Sequence, residues 1–128
     1  MLIFFSRKHP NTIFTIMADH GLHLGPYAIS PPGQVEQYLP ASFTLFPSKF
    51  LDKHPEMRES LVHNQQALTT HYDFHRTLLH MLDYPKLKEP DYSGVAYEYA
   101  ARSLFEKIPL TRTCQDVSAE RCICTKPQ

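Results

Sequence analysis

Tryptophan is absent from the chain, glycine occupies only 4 of 128 positions and cysteine only 3. With so little glycine, the 11 prolines must make most of the turns, and their fixed φ favours many short elements over a few long ones. Neither sign of charge is in excess. The 13 basic and 13 acidic residues cancel, which leaves no field to recruit a polyanion or an anionic membrane surface. Nucleic acid is therefore not an expected partner. Long apolar runs are missing as well: the amino-terminal run, Leu2 to Phe5, falls short of the roughly 7–15 residues of a signal-peptide core. Nothing approaches the roughly 18 residues of a membrane span. The expectation is a chain with no export signal and no span of its own. Its length allows one modest core, since domains of this size hide roughly two-thirds of their unfolded surface.

The cysteines lie close together. Cys114, Cys122 and Cys124 fall at the carboxy-terminal end, and one residue separates the last two, whereas zinc knuckles space their pairs by about two to four. The cluster reads as part of a disulfide scheme, its pairing left open.

Local signals predict a loop-rich α/β chain with few strands. Thr12 to Met17 is a strand by its β-branched residues and Phe14. The segment 22–40 reads as loop, punctuated by Gly25-Pro26 and Pro31-Pro32-Gly33. Ala41 to Phe46 is a second strand, stopped by Pro47. Pro55 suits the first position of a helix through about Leu68, and Thr69 or Thr70 caps another helix running to about Tyr84. Pro85 and Pro90 end the helical run, and a turn of helix is expected around Tyr97 to Phe105. Phe43, Leu45, Phe74, Leu78 and Leu82 are the expected core, with Ile13, Phe14 and Ile16 partly exposed.

Chemistry concentrates at Asp19-His20-Gly21, just past the first strand. In open α/β sheets ligands collect beyond the carboxyl ends of parallel strands, and a hard carboxylate next to an imidazole can reach one cation if the chain turns sharply, as Gly21 permits. The competing reading is a turn in which Asp19 bonds nearby amides and His20 has no role. His71 and His75 have the i, i+4 spacing of paired zinc ligands on a helix; the plainer reading puts them at the edge of an apolar face beside Phe74, Leu78 and Leu82. His80 points away and is expected in solvent. Asp73 reads as a helix-opening acid. His23, in the loop, is a candidate substrate-side group.

The runs "TIFTIMADHGLHLGPY", "GQVEQYLPASFTLFP", "LTTHYDFHRTLLHML" and "ARSLFEKIP", taken in order, resemble the carboxy-terminal part of the sulfatase and alkaline phosphatase superfamily, and more narrowly a eukaryotic sulfatase-like family of unknown function. The matching positions are Asp19, His20 and Gly21; Gly33, Glu36 and Pro40; Asp73, Thr77 and Leu78; and Ser103 and Leu104. The cysteine-bearing end "RTCQDVSAERCICTKP" is similar to the tail of the narrower family. Ala101 departs from it, standing where a glycine is usual.

The resemblance implies a C-terminal fragment of an alkaline-phosphatase-like sandwich over 1–109, with few strands, two or three helices and much loop, then a tail over 110–128. It implies that Asp19 and His20 ligate a divalent metal (calcium, manganese or zinc) that serves hydrolysis of sulfate or phosphate esters. The nucleophile and an acidic ligand would come from a missing N-terminal part of the parent domain, so no catalytic residue is assigned here and the chain is expected to be inactive alone. The parent family is of the secretory pathway or extracellular. Two other readings stand beside this one: a non-catalytic interaction module or truncated product, and a small zinc protein built on His20, His71 and His75.

Overall fold

Proline placement decides where most of the helices begin. A computed structural model of the protein describes residues 7–83 and 101–117. They hold two strands, β1 (Phe14–Met17) and β2 (Ser42–Leu45), and five helices, α1 (Gly25–Ala28), α2 (Pro31–Tyr38), α3 (Ser48–Lys53), α4 (Pro55–Asn64) and α5 (His71–Leu82). Helices α1, α2 and α4 each carry proline in their first two positions, where the missing N–H would have had no helical partner and the fixed φ is already helical. The architecture is α/β with much loop. Pro85, Pro90, Cys122, Cys124 and the first part of the helical turn expected over 97–105 lie outside the described residues. None of the described helices is long and apolar enough to cross a membrane.

The chain divides into two units, Met1–Lys53 and His54–Gln128. In the first, β1 and β2 pair antiparallel with Phe14 opposite Leu45, Thr15 opposite Thr44, Ile16 opposite Phe43 and Met17 opposite Ser42. The period-2 alternation puts Phe14, Ile16, Phe43 and Leu45 on one face. Thr15 and Thr44 join hydroxyls across the other at 3.1 Å.

The region 22–40 is not loop as expected. Ser30 caps α2 by accepting the Gly33 N–H at 3.3 Å, so Ser30-Pro31-Pro32 starts a helix. The two helices cross where a Cβ on Gly33 would stand 2.0 Å from the Tyr27 carbonyl oxygen, which only glycine tolerates. Ala28 and Gly33 are buried at that crossing.

The second unit is built on polar groups. Helix α4 buries Met57, Ser60 and Asn64, and α5 buries Asp73 and Thr77. Against them lie Ser103, Phe105, Ile108 and Val117. The Asn64 amide donates to the carbonyls of Leu104 at 3.0 Å and Glu106 at 2.8 Å, and its oxygen accepts the Ile108 N–H at 2.9 Å. One side chain thus satisfies three backbone groups of an irregular segment that has no ladder of its own.

Asp73 is fully buried. Its Oδ1 accepts from the Arg102 N–H at 2.7 Å and from Arg112 Nη2 at 3.1 Å. Its Oδ2 accepts from the Thr70 N–H at 2.7 Å, the Thr70 hydroxyl at 3.0 Å and Arg112 Nη1 at 2.8 Å. Thr70 and Asp73 form a capping box at the start of α5. One turn on, the Thr77 hydroxyl donates to the Asp73 carbonyl at 2.7 Å and accepts the Leu104 N–H at 2.8 Å.

The expected core is overturned here. Phe43 on β2 is 64% exposed; on α5, Leu82 is 84% exposed and Leu78 is exposed too, because the inward stripe of that helix runs through Asp73 and Thr77. Apolar periodicity pointed to a different face, and the polar stripe wins because 101–117 supplies a partner for each of its groups. His71 and His75 are exposed rather than at the edge of a packed face. His80 is not in solvent either: its Nδ1 meets the Ser103 hydroxyl at 2.8 Å and its ring stands edge-on to Phe105 at 5.2 Å. At Ala101 the chain makes no turn; the turn comes at 104–106, so alanine is accommodated.

Removing one partner of a buried ion pair leaves an uncompensated charge, which costs about 3–5 kcal/mol. Asp73→Ala and Arg112→Ala should each lower the urea unfolding free energy by about that amount. Arg112→Lys should recover little, since an ammonium cannot span both carboxylate oxygens. Burial pushes His80 below its ordinary value, with Glu106 opposing and Arg76 adding to the shift. The unfolded chain then binds the extra proton first, so stability is full above about pH 6.5 and is lost as pH falls toward the lowered folded-state value. Urea midpoints at pH 7.5 and 5.5 should show a loss in the wild type that is smaller in His80→Gln.

Candidate functional site

The ladder of the first unit continues past β1, with the Ala18 N–H donating to the Ala41 carbonyl at 3.0 Å. The chain then leaves the strand through Asp19 and His20, and the Gly21 N–H donates to the Gln37 carbonyl at 3.2 Å. Two backbone tethers therefore bracket the Asp-His pair, one to the start of β2 and one to the last turn of α2. Gly21 does not earn its place through a left-handed backbone, contrary to the expected turn; that conformation belongs to Gly25, at φ 79°. It is needed because a Cβ there would stand 2.1 Å from the Glu36 carbonyl oxygen. Close approach of two backbones, one carrying the pair and the other belonging to α2, sets the loop's position.

Between the tethers, Asp19 Oδ1 accepts the His20 backbone N–H at 2.9 Å, as the turn reading anticipated. Asp19 Oδ2 stands 3.7 Å from His20 Nε2, so the two side chains lie on a common side. His20 Nδ1 is 2.7 Å from the Gly21 carbonyl oxygen. A carbonyl only accepts, so Nδ1 is the donor in this contact, and Nε2 is the nitrogen turned toward the carboxylate. That is the arrangement in which a histidine ligates a metal through Nε2 with its other nitrogen held by the backbone. Two donor atoms bound to one ion at about 2.0–2.2 Å each stand roughly 3–4 Å apart, which the 3.7 Å separation matches. The residues present fit a shared divalent ion.

The His23 ring stands edge-on to His20, with centroids 4.5 Å apart and planes at 87°. Glu36 accepts the Tyr27 hydroxyl at 2.9 Å, and this contact holds the Tyr27 phenol above its ordinary value. Among the described residues no three His, Cys, Asp or Glu side chains are grouped to hold an ion. His71 and His75 are exposed on α5 in the second unit. Asp73, Thr77 and Leu104 are joined in the interior of that unit through the Asp73 carbonyl and the Thr77 hydroxyl, while the Ser103 hydroxyl meets His80.

Compared with known families, the sequence matches the one described as "Protein of unknown function (DUF229)" over residues 2–128. The chain belongs to DUF229. This is a sulfatase-like family, so the relation drawn from the four sequence segments holds at that level. Searches of the curated proteins and of the solved structures found no match.

In this DUF229 chain the segments that carry the family likeness divide into two kinds. Asp19 and His20 present their side chains to solvent, whereas Gly21, Gly33, Asp73, Thr77 and Ser103 hold backbones together. Arg112 and Asn64 went unnoticed in the sequence although they close the second unit. Arg112 has one local signal, its place just before Cys114, which is disulfide-bonded. Gly21→Ala should displace the Asp-His loop from α2 and cost about 1–3 kcal/mol, as over-packing does. Its mark would be lost amide protection at Gly21 with protection of the Asp73 network unchanged.

Proposed function

We propose that this chain supplies an Asp19–His20 metal-ligand pair to a sulfatase-like, metal-dependent hydrolase of sulfate or phosphate esters. The observation that carries the reading is the His20 ring, whose Nδ1 is tied to the Gly21 carbonyl at 2.7 Å while Nε2 faces the Asp19 carboxylate at 3.7 Å. The ion would be calcium, manganese or zinc, since the pair offers one hard and one borderline donor. When bound, it would supply Lewis-acid polarisation of the ester oxygen.

The chain's own residues hold and orient. Asp19 contributes charge and one oxygen, His20 one nitrogen, and Gly21 fixes both against α2. A catalytic site needs about three protein ligands and a nucleophile, so the remaining ligand and the nucleophile come from other residues of the parent protein. His23, beside His20, faces the same solvent and is the candidate to stand near the ester.

Titrating the 128-residue chain with manganese(II) should broaden the amide and ring signals of residues 19–21 first, and Asp19→Ala should abolish that selectivity. The chain alone should not turn over aryl sulfate or aryl phosphate esters above background. Broadening that ignores residues 19–21, or sustained turnover that survives Asp19→Ala, would overturn the reading.

A further inference from the structure

The His20 ring lies on an exposed loop, its side chain 47% accessible, so no packed core selects its rotamer. Its orientation rests on two contacts. One is the bond from Nδ1 to the Gly21 carbonyl. The other is the His23 ring, perpendicular to it at 4.5 Å. In an edge-to-face pair the positive rim of one ring meets the negative face of the other, an attraction that holds angle as well as distance. Leu22 and Leu24, which flank His23, are exposed.

We propose that His23 is a positioning residue for His20: its ring holds the His20 imidazole at the rotation that turns Nε2 toward Asp19. This rests on the reading of Asp19 and His20 as metal ligands. His23 acts through His20 and not on the ion, since the described residues form no three-membered ligand group there. What matters in His23 is then an aromatic face and edge. A phenyl ring has both and an alanine has neither.

The test uses the 128-residue chain and its His23→Ala, His23→Phe, Asp19→Ala and His20→Ala variants. His23 is exposed, so its replacement should leave the β1–β2 amide signals in place. Long-range proton–nitrogen spectra without metal should show the His20 Nδ1–H tautomer in the wild type and in His23→Phe, with mixed tautomers in His23→Ala. Zinc titration followed at the backbone amides of residues 19–21 should then give an affinity weakened about three- to tenfold in His23→Ala, the size of one edge-to-face pair, and nearly restored in His23→Phe.

Wild-type tautomer and affinity in His23→Ala would overturn the proposal. So would His23→Phe binding as weakly as His23→Ala, because the His23 nitrogens would then be touching the ion. Zinc affinity unchanged in both Asp19→Ala and His20→Ala would overturn the ligand reading and this inference with it. Loss in those two variants with a silent His23→Ala would overturn the positioning role alone.

Discussion

A carboxylate withdrawn from solvent must have its lone pairs answered, and the way Asp73 is answered organises the second unit. Donors come from three places in the sequence: Thr70 just before α5, Arg102 at the start of the irregular segment, and Arg112 near its end. Each bond alone is ordinary. Together they hold 101–117 against α5 without a strand or helix in that segment, and Thr77 and Asn64 repeat the device along its length. Such a network has little freedom to slide, because a shift of one residue would leave a buried charge unpaired, which is worse than any apolar misfit. The buried ion pair need not exceed an apolar pair in net stability; what it gives is a single register.

The first unit solves a related problem with less material. Its sheet has two short strands, and a pair of that size is marginal unless something packs on it. Helices α1 and α2 are inserted in the connection between the strands, and α2 returns to the loop that follows β1. Contact is made backbone to backbone at both glycines, Gly33 under Tyr27 and Gly21 under Glu36. The Asp-His pair is therefore displayed by main-chain geometry, with both side chains open to solvent. That division suits ligands, whose atoms must stay available while their Cα positions stay fixed.

What was legible in the sequence followed contiguity. Asp19-His20-Gly21 could be read because its chemistry is complete within three residues, and Pro55 and Thr70 because helix-start signals are local. Ser30-Pro31-Pro32 carried an equally local start signal that was outvoted by the density of turn residues around it. The choice of buried face on α5 was beyond reach by periodicity: Phe74, Leu78 and Leu82 make the better apolar stripe, and only partners from a distant segment make Asp73 and Thr77 the buried one. His80 followed the same logic, since its burial depends on Ser103 and Phe105. Arg112 and Asn64 are surface-type residues until their targets are known. Local chemistry announces itself, whereas long-range satisfaction of polar groups does not.

The accessibility of the Asp-His pair bears on how the proposed site would work. Asp19 is 87% accessible and His20 47%, so in this chain water competes for both donors and the local dielectric is high. Electrostatic attraction between an ion and a carboxylate weakens in proportion, and two ligands under such screening hold a divalent ion only loosely. Tight binding and useful polarisation of an ester oxygen both require that water be displaced. On the proposed reading, whatever brings the nucleophile and further ligands must therefore also cover this loop. On the proposed reading, then, assembly of the metal site and burial of the Asp-His loop are one event, and the rigid display of two prearranged donors is this chain's share in it.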